Sequence, residues 1–292
     1  MTHDPIKRFR RFARSVTTEV GALDDSFLGR GRSLGAARVL NAIGHGRTDV
    51  AELRQYLNLD SGLLSRLLRQ LEGEGLITVT PHPTDARARI AALTETGADE
   101  FAAYEDISDS RSRDLFDRHP HPQALLDAMD LIASALGRDR IRTEVQDPRA
   151  PQALFCLQEY YAELGRRFET GFDVNLSCDP QATDMMAPRG TFLVALSDDM
   201  PIGCVGIKGN GGPVAEVKRL WIAPSARGLG LAKRLMQQAE DAARALNITT
   251  LRLDTNSALP EALRLYQTTG WTEIPRFNDD PYPDHFFEKH LE

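Results

Sequence analysis

Apolar positions over the first 137 residues recur mostly at helical spacing. From residue 141 onward the pattern switches repeatedly between a period of two and a period near 3.6. Pro5–Leu23 reads as an amphipathic helix and Ser33–Ile43 as a second, with Leu34, Ala37, Val39 and Leu40 apolar. Thr48 is placed to cap a helix over Asp49–Leu57 that buries Ala51, Leu53 and Leu57. Asp60 or Ser61 caps the next helix, which runs to about Glu74 with Leu63, Leu64, Leu67, Leu68 and Leu71 at helical spacing. Gly75 ends it, where a left-handed residue is wanted. Leu76–Thr80 and Ile90–Leu93 predict a short hairpin around a turn at His82–Asp85, and helices follow from Thr94 past Tyr104 and over Pro122–Leu136.

In the second half, Thr191–Leu196 and Ile202–Ile207 read as adjacent strands joined by a turn at Ser197–Pro201, and Val214–Ile222 as a third. That third strand leads through a Gly-rich turn, Arg227-Gly228-Leu229-Gly230-Leu231-Ala232, into a helix ending near Leu246. The two regimes meet between Gly137 and Pro151, so we expect a mainly helical domain over 1–138 and an α/β domain over 139–292.

Composition narrows the function classes. The 292 residues are 41% apolar and 26% charged, ordinary globular values that exclude wholesale disorder. No apolar run approaches the roughly 20 residues that span a bilayer, so no membrane partner is expected. Met1–Glu19 is polar and Arg-rich, unlike a secretory signal. Three widely spaced cysteines, Cys156, Cys178 and Cys204, make neither a disulfide framework nor a zinc site and suit a reducing cytoplasm; no metal is expected. Net charge is −7, yet residues 30–90 carry nine Arg against six acids. That basic segment is compatible with a nucleic-acid footprint and equally with a solvated Arg-bearing face.

Two short helices joined by Asn58-Leu59-Asp60 and followed by a hairpin make a winged helix-turn-helix. With its Leu face buried, the second helix points Ser61, Ser65, Arg66 and Arg69 outward, which suits the major groove. Arg87 and Arg89 at the hairpin suit the narrow minor groove, with Asp85 beside them to orient a guanidinium. The run Ser61-Gly-Leu-Leu-Ser65-Arg66-Leu-Leu-Arg-Gln-Leu71-Glu, then Gly75-Leu-Ile, Asp85-Ala-Arg87 and Leu93-Thr94-x-x-Gly97 resembles the MarR family over about residues 5–137. Ala86 departs from the polar residue many members carry there. The resemblance implies operator DNA as partner and a homodimer formed by the first and last helices of this domain. It often implies a small ligand near that interface too.

A strand, a Gly-rich turn and a helix start together present backbone N–H groups and a helix dipole to an anion. The turn is neither G-x-G-x-x-G nor a Walker loop. Arg227-x-x-Gly230-x-Ala232, preceded by Glu216-Val-Lys-Arg-Leu-Trp-Ile-Ala-Pro224, resembles the GNAT acetyltransferases. Leu251-Arg-Leu-Asp254-Thr-Asn256 and Ala262-Leu-x-Leu265-Tyr266-x-x-x-Gly270-Trp271 continue the resemblance over about residues 141–292.

The implied fold is a mixed, mostly antiparallel sheet, and the implied cosubstrate is acetyl-CoA. Its pyrophosphate would sit on Arg227, Gly228, Leu229, Gly230, Leu231 and Ala232, reaching Lys233. Its arm would lie in a V-shaped gap beside the strand of Leu220, Trp221 and Ile222, pairing with its backbone. The resemblance gives Glu216 the base position, acting through water, Tyr266 the thiolate acid, and Asn256 a cofactor or water contact. A strand N–H near Leu220 would polarise the thioester carbonyl.

Arg167 and Phe172 sit where such folds shape the acceptor side. An Arg there would clamp a substrate carboxylate, favouring an amino-acid-like amine, or else pair with Glu169. Three functions stay open at this level. The chain is a regulator and an enzyme, or a regulator whose second half senses acetyl-CoA without turnover, or an enzyme whose helix-turn-helix half only dimerises.

Overall fold

The computed structural model describes residues 4–85, 87–176 and 182–292, so Ala86 and Cys178 lie outside the described residues. The chain divides into two compact units, Met1–Pro122 and Gln123–Glu292. Among the described residues no helix is long and apolar enough to cross a membrane.

The first unit holds α1 (Pro5–Glu19), α2 (Leu34–Gly44), α3 (Val50–Leu57), α4 (Ser61–Gly73), the hairpin β1 (Ile77–Pro81) and β2 (Arg89–Leu93), and α5 (Glu95–Arg118). The cap of α3 is Asp49 and not Thr48: the Asp49 carboxylate accepts the Glu52 N–H at 2.8 Å, an acceptor reach a Thr one residue earlier lacks. Thr48 instead offers its carbonyl to the Ala91 N–H at 2.8 Å, tying the hairpin to the start of α3. Asp60 caps α4 by accepting the Leu63 N–H at 2.9 Å, and Asn58 makes the α3–α4 turn in the left-handed conformation, φ 51°.

Leu40, Leu53, Leu64, Leu68, Leu71 and Ile77 build one apolar core under the hairpin. The Thr94-x-x-Gly97 signature has a local cause. The Thr94 hydroxyl accepts the Gly97 N–H at 3.0 Å, and a Cβ on Gly97 would stand 1.8 Å from the Leu76 carbonyl oxygen. α1 buries none of its residues, leaving Ile6, Phe9, Phe12 and Val16 exposed.

The second unit holds α6 (Pro122–Gly137), β3 (Arg142–Val145), α7 (Pro151–Arg167), β4 (Thr191–Ser197), β5 (Met200–Gly209), β6 (Val214–Ile222) and α8 (Leu231–Ala245), then β7 (Thr250–Thr255), α9 (Pro260–Thr268), β8 (Thr272–Glu273) and β9 (His285–His290). The sheet order is β3-β4-β5-β6-β7-β9-β8, antiparallel at every pairing except the parallel β6–β7. The β4–β5 turn is tighter than the expected Ser197–Pro201. Asp198 and Asp199 take φ of 50° and 69°, which two-residue hairpins require and Asp tolerates.

Period-two alternation splits the sheet between two cores. Leu193, Ala195 and Val205 face α8, with Leu235, Met236 and Ala239; Phe192, Val194 and Leu196 face α7, with Ala153, Cys156 and Leu157.

Two irregularities open the sheet at its centre. β6 and β7 pair over only three positions, Val214–Glu216 against Thr250–Arg252, and then separate. At the same place β6 carries a bulge against β5: Cys204 pairs with Trp221 and Gly206 with Lys218, so Arg219 and Leu220 share one partner position. Arg219 takes φ 61°, a left-handed conformation costing an L-residue about 1 kcal/mol or more. The edge of β6 from Val217 to Ile222 therefore faces a wedge instead of β7.

Candidate functional site

The wedge is a pocket. α7 supplies Tyr160 and Leu164, β6 supplies Val217 to Leu220, β7 and its end supply Asp254 to Asn256, and α9 supplies Tyr266. Phe168 and Phe172 close one side, Asp280, Tyr282 and Pro283 another. Of the residues singled out from sequence, Tyr266, Asn256, Leu220 and Phe172 meet here, while Glu216, Trp221, Ile222 and Arg167 do not line it.

Tyr266 is held by packing against Trp271 and Phe287, with ring centroids at 6.0 and 5.7 Å. Burial pushes its phenol well above the ordinary range, and Tyr160 and Asp254 push the same way. The group stays protonated at any physiological pH and is able to donate. Glu216 lies between two ammonium groups, 3.3 Å from Lys208 and 3.1 Å from Lys218. Lys218 in turn reaches Asp254 at 2.7 Å, and Asn278 donates to the same Asp254 oxygen at 2.6 Å. Burial works against the Lys218 ammonium, but Asp254 and Glu216 outweigh it and raise its pKa. Lys218 and Asp254 escaped notice in the sequence because their meeting depends on the parallel β6–β7 register, although the i, i+2 spacing of Glu216 and Lys218 signalled a shared strand face.

Asn256 has a building role. Its amide donates to the Tyr282 carbonyl at 2.6 Å and its oxygen accepts the Ala258 N–H at 2.8 Å.

The Gly-rich turn leads into α8. Gly228 and Gly230 take φ of 76° and 78°, and Gly230 is the N-cap of α8 with no side-chain cap bond. A Cβ on either glycine would meet nothing within 4 Å, so these glycines answer a backbone demand and leave the turn open above. The first N–H groups of α8 are thus presented without a side-chain acceptor, the arrangement an anionic phosphate needs. Arg227 pins the turn: its Nε donates to the Ile222 carbonyl at 3.1 Å and its Nη2 to Glu163 at 2.5 Å. Glu163 also accepts the Trp221 indole N–H at 3.1 Å and pairs with Arg167 at 2.9 Å. Arg167 reaches Glu261 at 2.8 Å as well; its partners are Glu163 and Glu261, not the expected Glu169. Nothing in the sequence marks Glu163, because a helical Glu does not show which loop it will meet.

Cys156 and Cys204 are free and buried, and burial pushes the Cys204 thiol up.

In the first unit, Ser61, Ser65, Arg66 and Arg69 are all exposed along α4, opposite the buried Leu64, Leu67, Leu68 and Leu71. Arg69 Nε donates to the Ser65 carbonyl at 3.1 Å. Arg87 and Arg89 are exposed on the hairpin, where the Asp85 carboxylate accepts the Arg87 backbone N–H at 2.9 Å and so shapes the turn.

Residues 156–271 match the acetyltransferase (GNAT) family and residues 30–88 match the MarR family. An IAA acetyltransferase from Azospirillum brasilense is 37% identical over 110 residues, which are 36% of this chain and 70% of that protein. An uncharacterised N-acetyltransferase of Schizosaccharomyces pombe is 33% identical over 99 residues, 33% of this chain; the match spans 61% of that relative's length. The PaiA N-acetyltransferase of Thermoplasma acidophilum, solved in complex with coenzyme A, superposes with a TM-score of 0.40 at 18% identity, covering 51% of this chain and 99% of that one. The chain belongs to the GNAT acetyltransferase family, and a MarR-family helix-turn-helix region precedes its acetyltransferase domain.

Proposed function

We propose that residues 1–138 bind double-stranded operator DNA as a homodimer and that residues 139–292 transfer acetyl from acetyl-CoA to a small-molecule amine, in the cytoplasm. The observation that carries the enzymatic half is one arrangement. An open Gly-rich turn at the start of α8 stands beside the unpaired edge of β6, and the buried Tyr266 lines the same wedge.

These residues fit the cosubstrate. The N–H groups from Gly228 to Lys233 would take its pyrophosphate, and Leu220, Trp221 and Ile222 would line its arm. When bound it supplies an activated acetyl thioester. Glu216 removes a proton from the arriving ammonium through water, and the nitrogen then attacks the thioester carbonyl. The C–N bond forms as the C–S bond breaks, the second nitrogen proton leaves to solvent, and Tyr266 gives its proton to the departing thiolate. The N–H near Leu220 steadies the carbonyl oxygen. The direct test is thiol release from acetyl-CoA across a panel of amines; binding of acetyl-CoA with no release from any amine overturns transfer. A second reading, acetyl-CoA sensing without turnover, draws on the engagement of Glu216 by two lysines away from the pocket lining. Under it, acetyl-CoA changes operator affinity equally in wild type and Tyr266→Phe.

For the DNA-binding half, the exposed row Ser61, Ser65, Arg66 and Arg69 supports entry of α4 into a major groove, and Arg87 and Arg89 support wing contact. Arg87→Ala is expected to weaken binding to a duplex selected from a random library about tenfold at fixed salt and to lower the salt slope by about one. Unchanged affinity would leave the helix-turn-helix half a dimerisation device only.

The dimer draws support from α1, whose Ile6, Phe9, Phe12 and Val16 are uncovered, and from α6, which exposes Leu126, Met129, Leu131 and Leu136. Phe9→Glu with Phe12→Glu is expected to give a monomer by analytical ultracentrifugation, because like charges would replace an apolar seam. A dimer that persists in the double variant places the interface elsewhere.

A further inference from the structure

Phe168, Phe172 and Tyr282 belong to none of the three apolar cores, yet all line the pocket and all are only half-buried. Their ring centroids stand 4.8 Å apart for Phe172–Tyr282, 5.8 Å for Phe168–Tyr282 and 6.1 Å for Phe168–Phe172. Phe168 and Tyr282 are near-parallel at 28°, Phe168 and Phe172 are edge-to-face at 73°, and Phe172 and Tyr282 are tilted at 46°. Phe172 also stacks on Tyr161 at 5.8 Å, and the half-buried rings of this cluster leave area for a further flat ring.

The wall is fixed from several sides. The Tyr282 phenol accepts the Asp173 N–H at 2.8 Å and donates to the Asp173 carbonyl at 3.3 Å. The Asn256 amide holds the Tyr282 carbonyl at 2.6 Å, and the Asp280 carboxylate accepts the Tyr282 N–H at 3.1 Å. An aromatic ring thus immobilised loses little entropy when a ligand stacks on it.

Lys218 and Asp254 in the pocket, and Glu216 and Arg167 outside its lining, already have partners. Lys218 is matched by Asp254 and Glu216, so this cluster offers no unmatched carboxylate to the second ammonium of a polyamine. Arg167, the candidate clamp for a substrate carboxylate, is engaged by Glu163 and Glu261.

We infer that the acceptor pocket takes a primary amine carried on a flat aromatic body, with the ring against Phe168, Phe172 and Tyr282 and the amine toward Tyr266. The inference rests on the acetyl-transfer reading for the direction in which the amine points. The ring wall selects the body; the wedge beside β6 receives the nitrogen.

The test compares 2-phenylethylamine with n-butylamine and spermidine on the full-length protein. Thiol release is followed with acetyl-CoA present, and amine binding to the coenzyme A-loaded protein is followed by calorimetry. kcat/KM for 2-phenylethylamine is expected to exceed both others at least tenfold. Phe172→Ala is expected to remove that advantage while KM for acetyl-CoA stays within about twofold. Phe168→Leu serves as the second variant should Phe172→Ala unfold, and is expected to reduce the advantage in the same direction.

Equal or better turnover of n-butylamine or spermidine overturns the aromatic class while leaving acetyl transfer standing. Preferential binding of 2-phenylethylamine without thiol release supports the aromatic class and overturns transfer. No binding of 2-phenylethylamine at millimolar concentration, with acetyl-CoA still bound, overturns the inference outright.

Discussion

Tyr266→Phe is expected to slow acetyl transfer at least 100-fold, with KM for acetyl-CoA and the thermal midpoint little changed. The size follows from the usual value of a positioned general acid, about 10²- to 10⁴-fold. The selectivity follows from the packing. The ring contacts with Trp271 and Phe287 survive the loss of one oxygen, and the Gly-rich turn that would hold the pyrophosphate lies on another element.

The pH profile carries the same argument. Burial raises the Tyr266 pKa, so the proton donor is present below that raised value and is lost only as pH climbs through it. Wild-type kcat should therefore show no alkaline fall from this group between pH 7 and 9, and its acid limb should follow deprotonation of the acceptor. Steady-state thiol release from pH 6 to 10 on both proteins checks this. A Phe variant within threefold of wild type would remove Tyr266 from the chemistry and favour the sensor reading.

Much of this is legible in the sequence, and the reason differs by element. α4 could be read because capping and a Leu repeat are local: Asp60, the Leu64–Leu71 face and Gly75 fall within sixteen residues of one another. The start of α8 could be read for the same reason, since Gly228 and Gly230 mark left-handed backbone wherever they stand in space. What escaped was long-range. Glu163 meets Arg227 across 64 positions, Asp254 meets Lys218 across 36, and Tyr282 meets Asp173 across 109. None of these pairings carries a local signal, because a charged or aromatic side chain looks the same in sequence whether it faces water or a partner.

The opening between β6 and β7 was foreseen only through family resemblance. Its cause, a bulge at Arg219 and a pairing that stops after three positions, is a matter of register that composition does not encode. The motif places Asn256 beside the cosubstrate; in the structure it lines the pocket while its side chain bonds the Tyr282 carbonyl and the Ala258 N–H.

Lys218 offers the sharpest test of the buried charge cluster at that opening. Its side chain is 6% exposed, against 13% for Asp254 and 24% for Glu216. Removing one member of a buried ion pair typically costs about 3–5 kcal/mol, because the remaining charge keeps its desolvation and loses its compensation. Lys218→Met keeps the length of the stem and removes the ammonium, leaving two carboxylates to repel each other. We expect a loss near the lower end of that range, about 3 kcal/mol at pH 7, because Glu216 retains contact with water and with Lys208.

The sign of the pH dependence separates this from a packing defect. In wild type the raised Lys218 pKa gives stability that is fully present below its unfolded value of about 10.4 and is lost only as pH rises through the folded one. Its contribution is therefore flat from pH 6 to 9. In the variant, mutual repulsion raises the folded pKa of the carboxylates, so the penalty is complete above that raised value and is relieved as pH falls through it toward their unfolded values of about 4. Urea midpoints of the two proteins should differ most at pH 7 and approach each other toward pH 4. A gap that stays constant, or widens on acidification, would mean that the cost is a packing defect of the methionine and that the charge of Lys218 does not matter.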